Sequence, residues 1–169
     1  MYIVKQIFMM FAVVLASYGI HNFYNSLPIP TKVYEVDTIK EEAKLSLVVL
    51  RAPGDKIENL SNGVAIASRA TGLSSTLIVS TMWSESNFKE KSISPKGYKG
   101  LMQTPSATFI YLDVDILHGA RVLEEKLRIA KGDLNEAMML YKGGRNSLAK
   151  KQAEETIRIY KYVRDKIRV

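Results

Sequence analysis

The chain has 169 residues, which is enough for one domain and a short additional segment. Its apolar content of 47% and its mean hydropathy near zero indicate a packed globular body and not a disordered chain. The absence of cysteine excludes disulfides, thiol nucleophiles, cysteine-ligated zinc and a lipidated N-terminal cysteine.

Residues 1–27 predict a signal peptide or a membrane anchor. Lys5 is the only charged residue before Lys32, and the stretch from Ile7 to Ile20 is almost wholly apolar. A basic start before an apolar run is typical of an export signal, whereas a membrane span needs roughly 20 apolar residues. A buried helix of a soluble core is the third interpretation. We expect export with a retained anchor, because Lys5 on the inside agrees with the positive-inside rule.

Beyond that segment, the chain predicts helices separated by turn residues. Residues 28–56 predict a linker with a short helix, which would be capped by Asp37 and would end before Pro53. Residues 57–169 predict a mostly α domain without strand alternation. Its expected helices cover 57–70, the stretch from Ser74 or Ser75 past Glu85, 115–130, 134–140 and 147–168, with an irregular loop over 92–108. Gly72 is the expected stop of the first of these helices, and Asp133 is the expected cap of the helix over 134–140.

Most of the net charge of +7 lies in the last 29 residues. From Tyr141 onward there are nine lysines and arginines against three acids, a net charge of +6. A basic C-terminal helix suits an anionic surface, such as membrane lipid or an acidic wall polymer, although many such helices are simply solvated. Nucleic acid is the least expected partner, because an exported protein seldom meets it.

Glu85 is the residue that says most about function. It follows an apolar helical run and precedes a segment rich in serine, proline and glycine. A carboxyl group in apolar surroundings has a raised pKa and can donate a proton near neutral pH, as cleavage of a glycosidic bond requires. Trp83 and Phe88 would supply apolar walls. Gln103 would add an amide and Tyr141 a phenol. For a lone glutamate, the simpler interpretation is a solvent-exposed surface residue.

Four sequence elements follow one another in a characteristic order. They are Glu85-Ser86-x-Phe88, Ser94-Pro95-x-Gly97, Gly100-Leu101-Met102-Gln103 and Tyr141-x-x-Gly144. In combination they resemble the soluble lytic transglycosylase family, which belongs to the lysozyme-like superfamily of peptidoglycan-cleaving enzymes. The similarity extends from about Ile57 to the last helix. It implies a lysozyme-like helical domain behind the N-terminal signal or anchor helix.

The resemblance also implies roles for individual residues. It makes Glu85 the catalytic acid/base, and Ser94 and Gln103 residues that line the saccharide cleft. Tyr141 matches the tyrosine that faces the acid, and Glu155 matches part of a closing Glu-Thr element. The family's Tyr-Asn-Ala-Gly reads Tyr-Lys-Gly-Gly here, so that Lys142 replaces the asparagine and adds a cation near the cleft.

The implied reaction needs one carboxyl group. Glu85 would protonate the oxygen between N-acetylmuramic acid and N-acetylglucosamine, and would then deprotonate the muramyl 6-hydroxyl, which closes a 1,6-anhydro ring. Hydrolases instead use a second carboxylate. Glu90, Asp113 and Asp115 are the candidates for that carboxylate, and we interpret them as surface charges. The alternatives are a goose-type-like lysozyme and a non-catalytic wall-binding subunit.

The expected partners are peptidoglycan strands, the membrane through the N-terminal segment, and a secretion, conjugation or virion assembly. The expected location is the periplasmic face of the inner membrane, anchored or secreted, or a virion membrane. We expect no metal and no cofactor, because His21 and His118 are isolated from each other and from further ligands, and no phosphate-cradling glycine loop occurs.

Overall fold

A computed structural model describes residues 31–105 and 107–168 of the chain, with side chains from Thr38 onward. In this part of the chain there are six α-helices and one 3-10 helix, Gly54–Lys56. No strand is present in the described segments, where only two isolated antiparallel bridges join Ile93 to Lys99 and Lys99 to Thr104. The α-helices are α1 (Thr31–Val49), α2 (Ile57–Thr71), α3 (Ser75–Ser86), α4 (Leu112–Ile129), α5 (Leu134–Tyr141) and α6 (Ser147–Ile167).

Helix α2 has its buried face on the side where apolar residues recur every three or four positions. Leu60, Val64 and Ala67 are fully buried on that face. The helix crosses α4 closely at Gly63, where an added Cβ would lie 2.8 Å from Ile116 Cδ1. It ends, as predicted, at Gly72, whose positive φ of 71° suits a residue without a Cβ.

Helix α4 begins three residues earlier than the sequence predicted. It starts at Leu112 and not at Asp115, and the segment over 107–111 is not helical. Its buried positions, among them Ile116, Ala120 and Leu123, face the core at helical spacing. Helix α4 packs against α2 and α5, while α6 packs against α3 and α5.

Helices α5 and α6 both start at residues whose side chains cap backbone N–H groups. Asp133 accepts hydrogen bonds from the N–H groups of Asn135 and Glu136, and Asn146 accepts one from Ala149. The predicted cap at Asp133 is therefore confirmed. Ser74 occupies the N-cap position of α3, but its side chain makes no capping hydrogen bond.

The core is continuous with part of α1. Ala43 and Leu47 of this helix are fully buried in the same cluster as Ile78, Met82 and Leu123. Residues 35–169 form one compact unit. The helix begins at Thr31, six residues before the predicted cap. The proposed division at residue 57 stays a prediction.

The described chain is mostly α, as predicted. None of its helices between residues 31 and 168 has the length and hydropathy needed to cross a bilayer. The predicted signal peptide or anchor over residues 1–27 lies outside the described residues.

Candidate active site

Glu85 lies in the last turn of α3, the most completely buried helix around the site. Buried side chains precede it from Ser75 to Met82, and the helix ends at Asn87, which has a left-handed φ of 50°. The Glu85 side chain is 16% exposed. The helix thus brings a carboxyl group from the core to the edge of a cleft.

The cleft has a volume of about 480 Å³, within the range of ligand-binding pockets. It lies between the end of α3, the loop after it, the end of α5 and the first turns of α6. All five residues predicted from the sequence to belong to the site line it: Glu85, Ser94, Gln103, Tyr141 and Glu155. Residues as many as 70 positions apart in the sequence are therefore brought to one surface.

Lys142, the C-cap residue of α5, forms an ion pair with Glu85 inside this cleft. Its Nζ lies 2.9 Å from Glu85 Oε1, and its side chain is only 6% exposed. Burial raises the pKa of Glu85 above its ordinary value, while the Lys142 ammonium opposes that rise. The net direction is upward, so desolvation outweighs the ammonium and favours the protonated acid.

A chain of hydrogen bonds holds Lys142 in place. Its Nζ donates to Ser84 Oγ over 2.5 Å, and Ser84 Oγ lies 2.6 Å from Thr156 Oγ1. Thr156 in turn donates to the backbone carbonyl of Gln152, one turn earlier in α6. The ammonium group is therefore tied to both α3 and α6.

The loop over 100–104 forms another wall of the cleft and is fixed by two side chains from helices. Ser86 Oγ donates to the Leu101 carbonyl over 2.9 Å, and Tyr141 OH donates to the Met102 carbonyl over 2.7 Å. Burial, with a smaller contribution from the Glu85 charge, raises the pKa of Tyr141 well above its ordinary value. Tyr141 is thus a neutral donor that links α5 to the loop.

Gln103 and Ser94 contribute to the shape of the same wall. Gln103 Nε2 donates to the carbonyls of Gly100 and Ser92, so its amide nitrogen is used by the loop itself. Ser94 Oγ accepts a hydrogen bond from the Tyr98 N–H and closes a turn. Both residues line the cleft, but these polar atoms already have protein partners.

The family model of the transglycosylase SLT domain matches residues 64–163, which is more than half of the chain and includes α3 to α5, most of α6 and the cleft. The chain belongs to this family. The SLT domain is a lytic transglycosylase domain of the lysozyme-like superfamily, and its substrate is peptidoglycan. Searches of the curated proteins and of the solved structures returned no match.

The prediction that Phe88 forms an apolar wall of the cleft in this SLT domain is wrong. Trp83 lines the cleft, but Phe88 does not. Phe88 is 3% exposed and belongs to the core cluster, with a positive φ of 61° that turns the chain after α3. The chain reverses immediately after the helix, and this reversal directs the aromatic ring inward.

The interpretation of Asp115 as a surface charge is also wrong. Asp115 is buried, and its two carboxylate oxygens accept the N–H groups of Thr108 and Phe109, each at 2.9 Å. It holds the segment before α4 and does not line the cleft. Glu90 pairs with Lys56 over 3.0 Å, and Asp113 is exposed, so neither of these two is a cleft carboxylate.

Two cleft residues, Ser84 and Lys142, and the buried Thr156 that Ser84 contacts were not assigned a role from the sequence. Ser84 and Thr156 are small polar residues in helices, and nothing in the pattern indicates that they meet each other. Lys142 was noted as a cation near the cleft, but its direct contact with Glu85 was not foreseen. The only available signal was position, since Ser84 and Thr156 each adjoin a glutamate already assigned to the site.

No cluster of three metal-binding side chains occurs among the residues described between 31 and 168. The chemistry of the cleft rests on the carboxyl groups of Glu85 and Glu155, the ammonium groups of Lys96 and Lys142, and the phenol of Tyr141, together with backbone and amide groups. These groups suit proton transfer to and from a neutral saccharide.

Proposed function

We propose that the protein cleaves the β-1,4 bond between N-acetylmuramic acid and N-acetylglucosamine in peptidoglycan and leaves 1,6-anhydro-N-acetylmuramic acid ends. Glu85 is the acid and then the base. The observation that carries the proposal is a single largely buried carboxyl group, with a pKa raised by desolvation, that lines a cleft in a lytic transglycosylase domain.

The reaction proceeds in two proton transfers. Protonated Glu85 donates its proton to the glycosidic oxygen as the bond to C1 breaks, and the substrate's own 2-acetamido group stabilises the positive charge that develops at C1. The Glu85 carboxylate then accepts the proton of the muramyl 6-hydroxyl, whose oxygen bonds to C1. The carboxyl group ends the cycle as it began, and no water is consumed.

Glu155 is the residue on which the hydrolase alternative depends. Apart from Glu85 it is the one carboxylate among the described residues that line the cleft, and it is exposed. A goose-type-like lysozyme that used Glu155 to activate water would need it for turnover and would leave reducing ends. In the proposed lyase, Glu155 contacts only the saccharide, so its loss weakens binding and leaves the products unchanged.

We further propose that the protein is exported and acts at the periplasmic face of the inner membrane or in a virion membrane, held there by residues 1–27. The substrate lies outside the cytoplasm, and Lys5 before an apolar run supports export. An SLT domain that follows an export segment suits local opening of the wall for a secretion or conjugation apparatus or for a virus.

The test is a digest of purified peptidoglycan with the purified protein, analysed by mass spectrometry. The proposal expects muropeptides with 1,6-anhydro ends from the wild type and from Glu155→Gln, and none from Glu85→Gln. Reducing ends as the main product, lost in Glu155→Gln, would establish the hydrolase. Full activity of Glu85→Gln would reject the assigned acid.

A matched control separates catalysis from binding. Sedimentation of each variant with insoluble peptidoglycan measures affinity without turnover. Glu85→Gln is expected to sediment as the wild type does, because the amide keeps the size of the side chain. If the wild-type protein sediments with peptidoglycan but releases no muropeptides, it is a non-catalytic wall-binding subunit and the enzymatic proposal is overturned.

A further inference from the structure

Lys142 differs in its surroundings from the other lysines that form ion pairs in the described part of the chain. The lysines at positions 40, 44 and 56 have side chains 25–37% exposed, whereas that of Lys142 is 6% exposed. A lysine is rarely buried unless it is paired. Here the partner is Glu85, the acid of the proposed reaction, so the pairing bears directly on catalysis.

We propose that Lys142 is a positioning residue, whose ammonium group holds Glu85 in a fixed orientation and confines acid catalysis to a lower pH than a neutral side chain at position 142 would allow. This inference rests on the proposed role of Glu85 as the acid. It concerns a position at which the chain departs from the asparagine of the family pattern.

The orientation follows from the hydrogen-bonding capacity of the ammonium group. Nζ has three N–H donors, of which one reaches Glu85 Oε1 and another reaches Ser84 Oγ. Because Ser84 is tied to Thr156 of α6, the ammonium cannot follow the carboxylate freely. Glu85 is consequently held from α5 and α6 as well as from its own helix.

The pH effect follows from the sign of the charge. An ammonium group 2.9 Å from the carboxyl stabilises its ionised form, whereas the reaction needs the protonated form. The other titratable groups that line the cleft are Tyr141 on α5, Lys96 in the loop after α3, and Glu155 on α6. Tyr141 is neutral, and neither Lys96 nor Glu155 has an ion-pair partner among the described residues. Lys142 is therefore the charge that dominates at Glu85.

The experiment compares the pH dependence of kcat/KM in the wild type, Lys142→Met, Lys142→Asn and Lys142→Arg. In the methionine and asparagine variants, the pH at which activity falls on the high-pH side is expected to be higher than in the wild type by about one unit or more. The reason is that an opposite charge at this distance lowers a carboxyl pKa by about 1–3 units. At low pH, where Glu85 is protonated in every variant, these two variants are expected to be slower because the orientation is lost. The two profiles therefore cross.

The arginine variant keeps the charge, so its high-pH limb is expected to coincide with that of the wild type. Lys56→Met is the matched control, because it removes a lysine that pairs with Glu90 at 3.0 Å outside the cleft. The high-pH limb of the Lys56→Met profile is expected to coincide with that of the wild type. A Lys142→Met limb that stays in place or moves to lower pH overturns the proposal, because a merely structural lysine would change the rate without moving the limb to higher pH.

A second measurement does not depend on turnover. Carbon-13 NMR titration of the Glu85 carboxyl in the intact protein is expected to give a midpoint at higher pH in Lys142→Asn and Lys142→Met than in the wild type. Equal midpoints overturn the pairing even if the enzyme is active. If no protein releases anhydro products but the midpoints differ, the proposed function fails and the pairing stands. Circular dichroism identifies any unfolded variant, and either neutral variant is sufficient for the comparison.

Discussion

The carboxyl groups of Asp115 and Glu85 are both largely buried, but their surroundings differ. The difference distinguishes a structural carboxylate from one that is available to a ligand. Asp115 accepts two backbone N–H groups from the segment before α4, which are fixed donors without a net charge. Glu85 has one side-chain ammonium as its partner and otherwise faces a cleft. Fixed backbone donors suit a structural role for Asp115, whereas a carboxyl group at a cleft with a single charged partner is placed to exchange a proton with a ligand.

The loop over 100–104 is close to Asp115 and lines the cleft through Gln103. A Cβ added at Gly100 would be 4.0 Å from Asp115 Oδ2, and the same loop carries the carbonyl that Tyr141 binds beside the cleft. Asp115 therefore lies next to the loop that contributes Gln103 to the cleft lining, whereas Glu85 lines the cleft itself. Four predictions test this difference between the two carboxyl groups.

The largest expected effect is on turnover in Glu85→Gln. Loss of the proton donor is expected to lower kcat by at least about 100-fold, as removal of a general acid does. Release of soluble muropeptides gives the rate, and thermal unfolding followed by circular dichroism is expected to show a folded protein. Glu90→Gln, which removes a glutamate paired with Lys56, is the control and is expected to keep its activity. Equal losses in the two variants would contradict the special role of Glu85.

Asp115→Ala is expected to lower the stability of the protein, in contrast to Glu85→Gln, which is expected to stay folded. Two charge-assisted hydrogen bonds from the part-buried backbone N–H groups of Thr108 and Phe109 are lost, so the free energy of unfolding is expected to fall by about 3 kcal/mol. Urea denaturation measures this loss. Asp113→Ala, two residues earlier and exposed, is the matched control and is expected to change stability by less than about 0.5 kcal/mol. Equal stability of the two variants would remove Asp115 as the anchor of this region.

Gly119→Ala tests the loop over 100–104, which lies close to Asp115 and lines the cleft through Gln103. An added Cβ would lie 2.5 Å from Met102 Cβ, so α4 or the loop must move. Overpacking of this kind costs about 1–3 kcal/mol. Activity is expected to fall as well, because Met102 carries the carbonyl bound by Tyr141. Gly54→Ala, where an added Cβ meets nothing within 4 Å, is the control for both measurements. Unchanged stability in Gly119→Ala would mean that the loop is free to shift.

The smallest expected effect is the pH dependence of stability in Lys142→Met. Its Glu85 keeps a raised pKa in the folded state, so the folded protein binds the proton more tightly than the unfolded chain does. The free energy of unfolding is therefore expected to fall as the pH rises above 4.5, the ordinary value, through the folded-state pKa. The loss is about 1.4 kcal/mol for each unit between the two pKa values.

The double variant Glu85→Gln, Lys142→Met isolates this contribution. It lacks both charges, so the difference between the single and double variants reports Glu85 alone. Urea denaturation from pH 4 to pH 8 gives the two curves. Parallel curves would show that Glu85 is not desolvated, and would place it in the same class as an ordinary surface carboxylate.

Local sequence was sufficient for most of the helices. Apolar residues at helical spacing predicted α2 and α6 to within one or two residues, and Gly72 and Asp133 marked ends that depend only on neighbouring backbone groups. The start of α4 was missed because Asp115 has the chemistry of a helix cap. Its carboxylate instead bonds residues that precede the helix, and this contact depends on how the preceding segment folds back.

The sequence by itself determined that the chain is mostly α, and its four ordered motifs, together with the Glu-Thr element at Glu155, selected five residues that do line one cleft. Tertiary structure alone decided which of their neighbours touch: Lys142 with Glu85, Ser84 with Thr156, and Phe88 with the core. The physical reason is the range over which each kind of interaction acts. Capping and helical periodicity act over about four residues along the chain, whereas burial and ion pairing depend on distances in space between residues that are 57 and 72 positions apart here.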